Sequence, residues 1–108
     1  MQKVKFITFI LLCLNSIMPL HAQEKFTFSG TISEATSNET LIGVNILVPE
    51  LQTGTTTNEY GFYSITLPKG NYNIIISYIG FTNIEETLVL SENITKNYSL
   101  FEAAESLD

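Results

Sequence analysis

The sequence predicts an all-β fold, a seven-stranded antiparallel β-sandwich, and three observations carry that prediction. Apolar residues recur at every second position in several short runs, which is the pattern of strands with one buried face. Clusters of Gly, Pro, Asn and Ser separate the runs at spacings of about 8 to 12 residues. Past the first 22 residues no run shows the 3.6-residue period of an amphipathic helix.

Taken in order, residues 25–33 alternate Phe26, Phe28, Gly30 and Ile32 with Thr27, Ser29, Thr31 and Ser33 and form a first strand. Residues 34–40 are a polar loop in which Asn38 tolerates the left-handed region. A second strand spans 41–48, with Val44, Ile46 and Val48 on one face and Asn45 and Leu47 on the other. Gly43 marks a bulge or a close backbone approach there, and Pro49 ends the strand by withholding a donor. After a turn at 51–54, residues 55–57 give a short third strand.

Residues 54–81, GTTTNEYGFYSITLPKGNYNIIISYIGF, hold the strongest pattern. Tyr63, Ile65 and Leu67 alternate with Ser64 and Thr66, and the alternation resumes as Tyr72, Ile74, Ile76 and Tyr78. Pro68 presets its φ and Gly70 accepts a positive one, so the chain reverses between these runs. The expectation is a three-strand meander whose inner face is the core. Ile84, Leu88 and Leu90, interrupted by Glu85 and Glu86, read as an edge strand protected by charge. Ile94, Tyr98 and Leu100 form a last strand that closes the sheet beside the first.

The front of the chain reads differently. Lys3 and Lys5 precede an apolar run at 6–14, and the small residue Ala22 ends a short polar segment. This is the layout of a secretory signal peptide over residues 1–22. A run of nine residues falls short of the roughly 20 apolar residues that cross a bilayer. Cys13 and His21 leave with it, so the remaining 86 residues have no cysteine, histidine, arginine or tryptophan. Eleven acidic residues then stand against Lys25, Lys69 and Lys96, a net charge of −8. Such a surface repels phosphate backbones and excludes nucleic acid as a partner. The folded domain is expected over 23–101, with an acidic linker at 102–108.

Nothing in this inventory points to catalysis. A hydroxyl nucleophile needs a neighbouring base, and Lys69 and Lys96 occupy a turn and a strand pattern rather than a desolvated pocket. Glu85 and Glu86 are adjacent on a strand and face opposite ways. Asn58 and Glu59 beside Gly61 are too few ligands for calcium, and a turn held by the Asn58 side chain accounts for them. No cofactor or metal is expected. Sequons at Asn38, Asn93 and Asn97 arise by chance in a chain so rich in Asn, Ser and Thr. The candidate contact residues are Tyr60, Phe62 and Phe81. Phe62, off the Tyr63 face, points outward and is the first choice for contact with a sugar or a protein.

Three segments, SGTISEATSNETLIGVNILVPE, the 54–81 stretch and the closing YSLFEAAESLD, together resemble the carboxypeptidase-regulatory-like domain at the N-terminus of SusC/RagA-type TonB-dependent outer-membrane receptors of Bacteroidota. The resemblance covers residues 26–108. Its most specific parts are Leu41-Ile42-Gly43-Val44-Asn45, the turn at Thr57-Asn58-Glu59-Tyr60-Gly61, and Leu67-Pro68-Lys69-Gly70 followed by Ser77-Tyr78-Ile79-Gly80-Phe81. Asn58 stands where the family usually has Asp, and Asn38-Glu39-Thr40 where it usually has Gly-Glu-Pro.

The resemblance implies a transthyretin-like (prealbumin-like) sandwich. It also implies a non-catalytic module on the periplasmic face of the outer membrane, docking or regulating ahead of the plug and barrel of the same receptor. Other envelope proteins and carbohydrate are further partner classes. The alternatives are a free-standing secreted module that binds carbohydrate or a surface protein, and an appendage of a metallocarboxypeptidase. Transthyretin-like hydrolases share the fold, but their chemistry uses His and Arg.

Overall fold

A computed structural model of the chain describes residues 23–104. The expected signal peptide at 1–22 and the end of the expected linker, 105–108, lie outside the described residues. Eight strands occur among the described residues: β1 (Lys25–Glu34), β2 (Asn45–Val48), β3 (Thr53–Thr56), β4 (Phe62–Pro68), β5 (Gly70–Ser77), β6 (Ile84–Leu90), β7 (Ile94–Thr95) and β8 (Tyr98–Leu100). A 3₁₀ turn, Pro49–Leu51, links β2 to β3.

The strands form two sheets that face each other as a sandwich. One sheet runs β4-β1-β7, with β8 continuing along the same edge of β1, and the other runs β3-β2-β5-β6. β7 and β8 are two pieces of the single last strand expected from the sequence. They lie beside β1 as expected but parallel to it, at Phe28↔Ile94 and Ile32↔Tyr98, so this sheet is mixed rather than purely antiparallel.

The alternation decides the core. Phe28, Ile32, Tyr63, Ile65, Leu67, Tyr98 and Leu100 of the first sheet meet Ile46, Val48, Tyr72, Ile74, Ile76, Leu88 and Leu90 of the second, with Val44 from the loop before β2. Each large apolar side chain removed from water in this way contributes about 1.5–3 kcal/mol. Phe28 and Tyr63 rings lie 5.3 Å apart and tilted, and Tyr63 and Tyr98 6.3 Å apart.

The expected meander does not form. β3, β4 and β5 are consecutive, yet β4 pairs with β1 whereas β3 and β5 pair with β2 in the opposite sheet. Only Lys69 separates β4 from β5, and a single residue cannot make the two-residue turn of a tight hairpin. The chain instead rounds a corner from one sheet to the other, fastened by the Tyr72 hydroxyl donating to the Pro68 carbonyl at 2.6 Å.

The second strand is also shorter than expected. Gly43 takes a φ of +81°, and the segment before Asn45 is held to Thr57 by two backbone hydrogen bonds, Gly43 N–H to Thr57 O and Thr57 N–H to Val44 O, and by the Thr57 side chain. Thr57 Oγ1 accepts from the Val44 N–H at 3.0 Å and donates to the Leu41 carbonyl at 2.5 Å. A Cβ on Gly43 would touch nothing. The close backbone approach expected there occurs at Gly30, against the Lys96 carbonyl. Beyond β2, the 3₁₀ turn carries Glu50 back so that its carboxylate accepts the Asn73 N–H at 2.8 Å, a donor on β5 that β2 is too short to reach.

Candidate functional site

The connections sort into two ends of the sandwich. At one end lie the β1–β2 loop, the β3–β4 loop, the β5–β6 loop and the segment after β8, as the pairings Thr31↔Phe62, Glu34↔Leu100 and Asn45↔Ser77 require. The opposite end holds the β4–β5 corner, the 3₁₀ turn and the β6–β7 turn.

Each loop at the first end is held by local hydrogen bonds. The Glu34 carboxylate accepts the Thr36 N–H and hydroxyl and the Ser37 N–H and hydroxyl, while Asn38 adopts a φ of 60°. The Ser37 hydroxyl, then the Thr36 hydroxyl and the backbone donors, hold the Glu34 pKa down at about 2. In the β3–β4 loop, Asn58 Oδ1 accepts the N–H groups of Tyr60 (2.9 Å) and Phe62 (3.0 Å), as the Asn58 turn requires. Gly61 closes it at a φ of +74°. In the β5–β6 loop the Phe81 N–H donates to the Tyr78 carbonyl at 3.0 Å, with Gly80 at a φ of +84°. The segment after β8 is tied to this turn: Thr82 N–H donates to Phe101 O, Ala103 N–H donates to Gly80 O, and Phe81 bridges Glu102. Glu102 and Ala103, the first residues of the expected linker, therefore belong to the hydrogen-bonded unit.

All three contact residues named from the sequence lie at this end. Tyr60 is 71% exposed and Phe62 43%. Phe81 is only partly exposed, its ring 5.4 Å from that of Tyr78 and packed against the core. The structure adds Ile42, Ile79 (93% exposed) and Phe101, which sequence reasoning passed over. Their signal was an apolar residue at a turn position, where a polar one is the norm. Five of the eight large apolar side chains exposed among the described residues thus gather at one end, and the other three, Leu47, Leu51 and Val89, do not.

Titratable groups meet at the β6 edge, where Glu86 receives the Lys96 ammonium at 2.8 Å and the Tyr98 hydroxyl. Partial burial raises the Glu86 pKa, but the Lys96 and Tyr98 hydrogen bonds and the Lys96 charge outweigh it and the net shift is downward. Burial, then the Glu86 carboxylate, pushes the Tyr98 phenol up, and burial likewise raises Tyr63. Lys96 also lies 5.3 Å from the centre of the Tyr98 ring. The cluster ties one sheet to the other. A groove of about 310 Å³ runs past Pro49, Asn73, Ile75, Glu85 and Thr87. Among the described residues no three His, Cys, Asp or Glu side chains come together to hold a metal ion.

Comparison with known proteins agrees with this architecture. Residues 28–108 match the CarboxypepD_reg-like domain. A TonB-dependent receptor P3 from Formosa agariphila is 33% identical over 94 residues, which is 87% of this chain but 9% of the receptor. The chain therefore spans about a tenth of the length of that relative. Among solved structures, a cohesin–X-dockerin complex from Acetivibrio cellulolyticus superposes with a TM-score of 0.57 at 16% identity, covering 68% of this chain and 52% of that one. A DUF3823 family protein from Bacteroides ovatus gives 0.52 at 14% identity over 71% and 44%. At these identities the two structures speak to the β-sandwich alone. The match over residues 28–108, carried on the two-sheet scaffold described above, makes this chain a member of the CarboxypepD_reg-like domain family.

Proposed function

We propose that the chain is a non-catalytic accessory domain at the N-terminus of a SusC/RagA-type TonB-dependent nutrient receptor. On this reading it is exported by the segment 1–22, stands on the periplasmic face of the outer membrane, and docks or regulates ahead of the plug and barrel of its own receptor. The carrying observation is the similarity to a TonB-dependent receptor along 87% of the chain. Residues 23–104 supply no histidine, cysteine or arginine, which supports a binding rather than a chemical role. Turns at one end that present Tyr60 and Phe62 on hydrogen-bonded scaffolds support docking.

Fractionation of cells making an epitope-tagged chain tests the reading. The expected result is processed chain in the envelope fraction. Recovery solely from the culture medium overturns it, as does turnover of a substrate by contaminant-free protein.

A further inference from the structure

The exposed apolar end of the sandwich carries a second asymmetry, in charge. Glu39, Glu59 and Glu102 are exposed on its loops and Glu85 at the start of β6. Of the lysines among the described residues, Lys25 begins β1 and Lys69 sits in the β4–β5 corner, both at the opposite end, and Lys96 is paired with Glu86. The end that shows Ile42, Tyr60, Phe62, Ile79 and Phe101 to solvent is therefore rimmed by carboxylates with no cation among them.

We propose that this end of the domain docks end-on onto a partner protein whose surface is apolar at its centre and basic at its rim. The proposal rests on the docking role proposed above and supplies its surface and its partner's chemistry. Tyrosine and phenylalanine are the side chains interfaces use as anchors. Here they stand on turns already fixed by Asn58 and by the Gly80 turn, so little conformational freedom is lost on binding. Ile79 at the tip of a two-residue turn gains nothing from the fold and is accounted for by burial against something else.

The charge selects the occupant. A second copy would set carboxylates against carboxylates, and an anionic lipid surface repels the same rim. The segment after β8 lies at this end too, pinned through Ala103 and Glu102 to the Gly80 turn, so Phe101 and Glu102 are held beside Ile79 on the same surface.

The test uses the purified chain, ¹⁵N-labelled, and three synthetic peptides of equal length: alternating Leu and Lys, alternating Leu and Glu, and alternating Ser and Lys. Only the Leu/Lys peptide is expected to bind, with amide shifts confined to the loops around residues 42, 60, 79 and 101. Ile79→Ser with Phe101→Ser weakens it by about tenfold without lowering thermal stability. Glu59→Lys with Glu102→Lys transfers the preference to the Leu/Glu peptide. Equal binding of the Leu/Glu peptide, shifts spread over the sheet faces, dimerisation through these residues, or no binding at all overturns the proposal. Envelope localisation without peptide binding sinks this surface alone, whereas peptide binding by a chain found solely in the medium sinks the receptor reading alone.

Discussion

Replacing Gly30 by alanine is the sharpest probe of how the two halves of the first sheet are joined. A Cβ there would sit 1.8 Å from the Lys96 carbonyl oxygen and 2.6 Å from its carbon, so the β7–β8 connection must retreat by more than an ångström. That carbonyl accepts the Tyr63 hydroxyl at 2.5 Å. The next residue, Asn97, accepts the Thr31 N–H at 2.9 Å. Losing both hydrogen bonds at about 1 kcal/mol each, with about 1 kcal/mol of residual overlap, gives about 3 kcal/mol. In a domain this size that lowers Tm by roughly 12–24 °C. Urea unfolding of Gly30→Ala, Tyr63→Phe and the double variant measures it. Tyr63→Phe alone should cost about 1 kcal/mol, and less in the alanine background, because the two changes remove one shared bond. A Gly30→Ala chain within about 0.5 kcal/mol of the parent would refute the packing argument.

Three further outcomes are expected. Asn58→Asp keeps the oxygen that both turn amides use and leaves stability unchanged or slightly raised, while Asn58→Ala costs about 1–2 kcal/mol by thermal melting. Thr57→Val strands the Val44 N–H and the Leu41 carbonyl and costs about 2 kcal/mol in denaturant. Glu34 has a folded-state pKa of about 2 against an ordinary 4.5. Its contribution is therefore full above pH 4.5 and lost as the pH falls toward 2, and melts of Glu34→Gln across that window should show a shallower acid dependence than the parent.

Much of the architecture was written in alternation. The inward positions of β1, β4, β5 and β6 could be named from sequence, because a period of two assigns every residue a face whatever its partner. Partner choice was not legible in that way. Tyr63 and Tyr72 carry identical alternation into opposite sheets, and only the one-residue link at Lys69 tells a corner from a hairpin. Gly43 and Gly30 look alike in sequence, yet one needs a positive φ and the other a missing side chain. The contact end was partly visible in Tyr60 and Phe62. Ile79 and Phe101 were hidden because their companions Tyr78 and Leu100 continue the buried pattern, and exposure is settled by which way the turn between strands folds back.

The parallel seating of β7 and β8 against β1 has a kinetic consequence. The Thr27 amide reaches an acceptor 66 residues further along the chain, so the first strand synthesised stays one-sided until nearly the last has been delivered. Closing so long a loop comes late and makes such topologies slow to fold. Made N-terminus first, the chain leaves one edge of β1 unpaired until residues 94–100 are available to cover it.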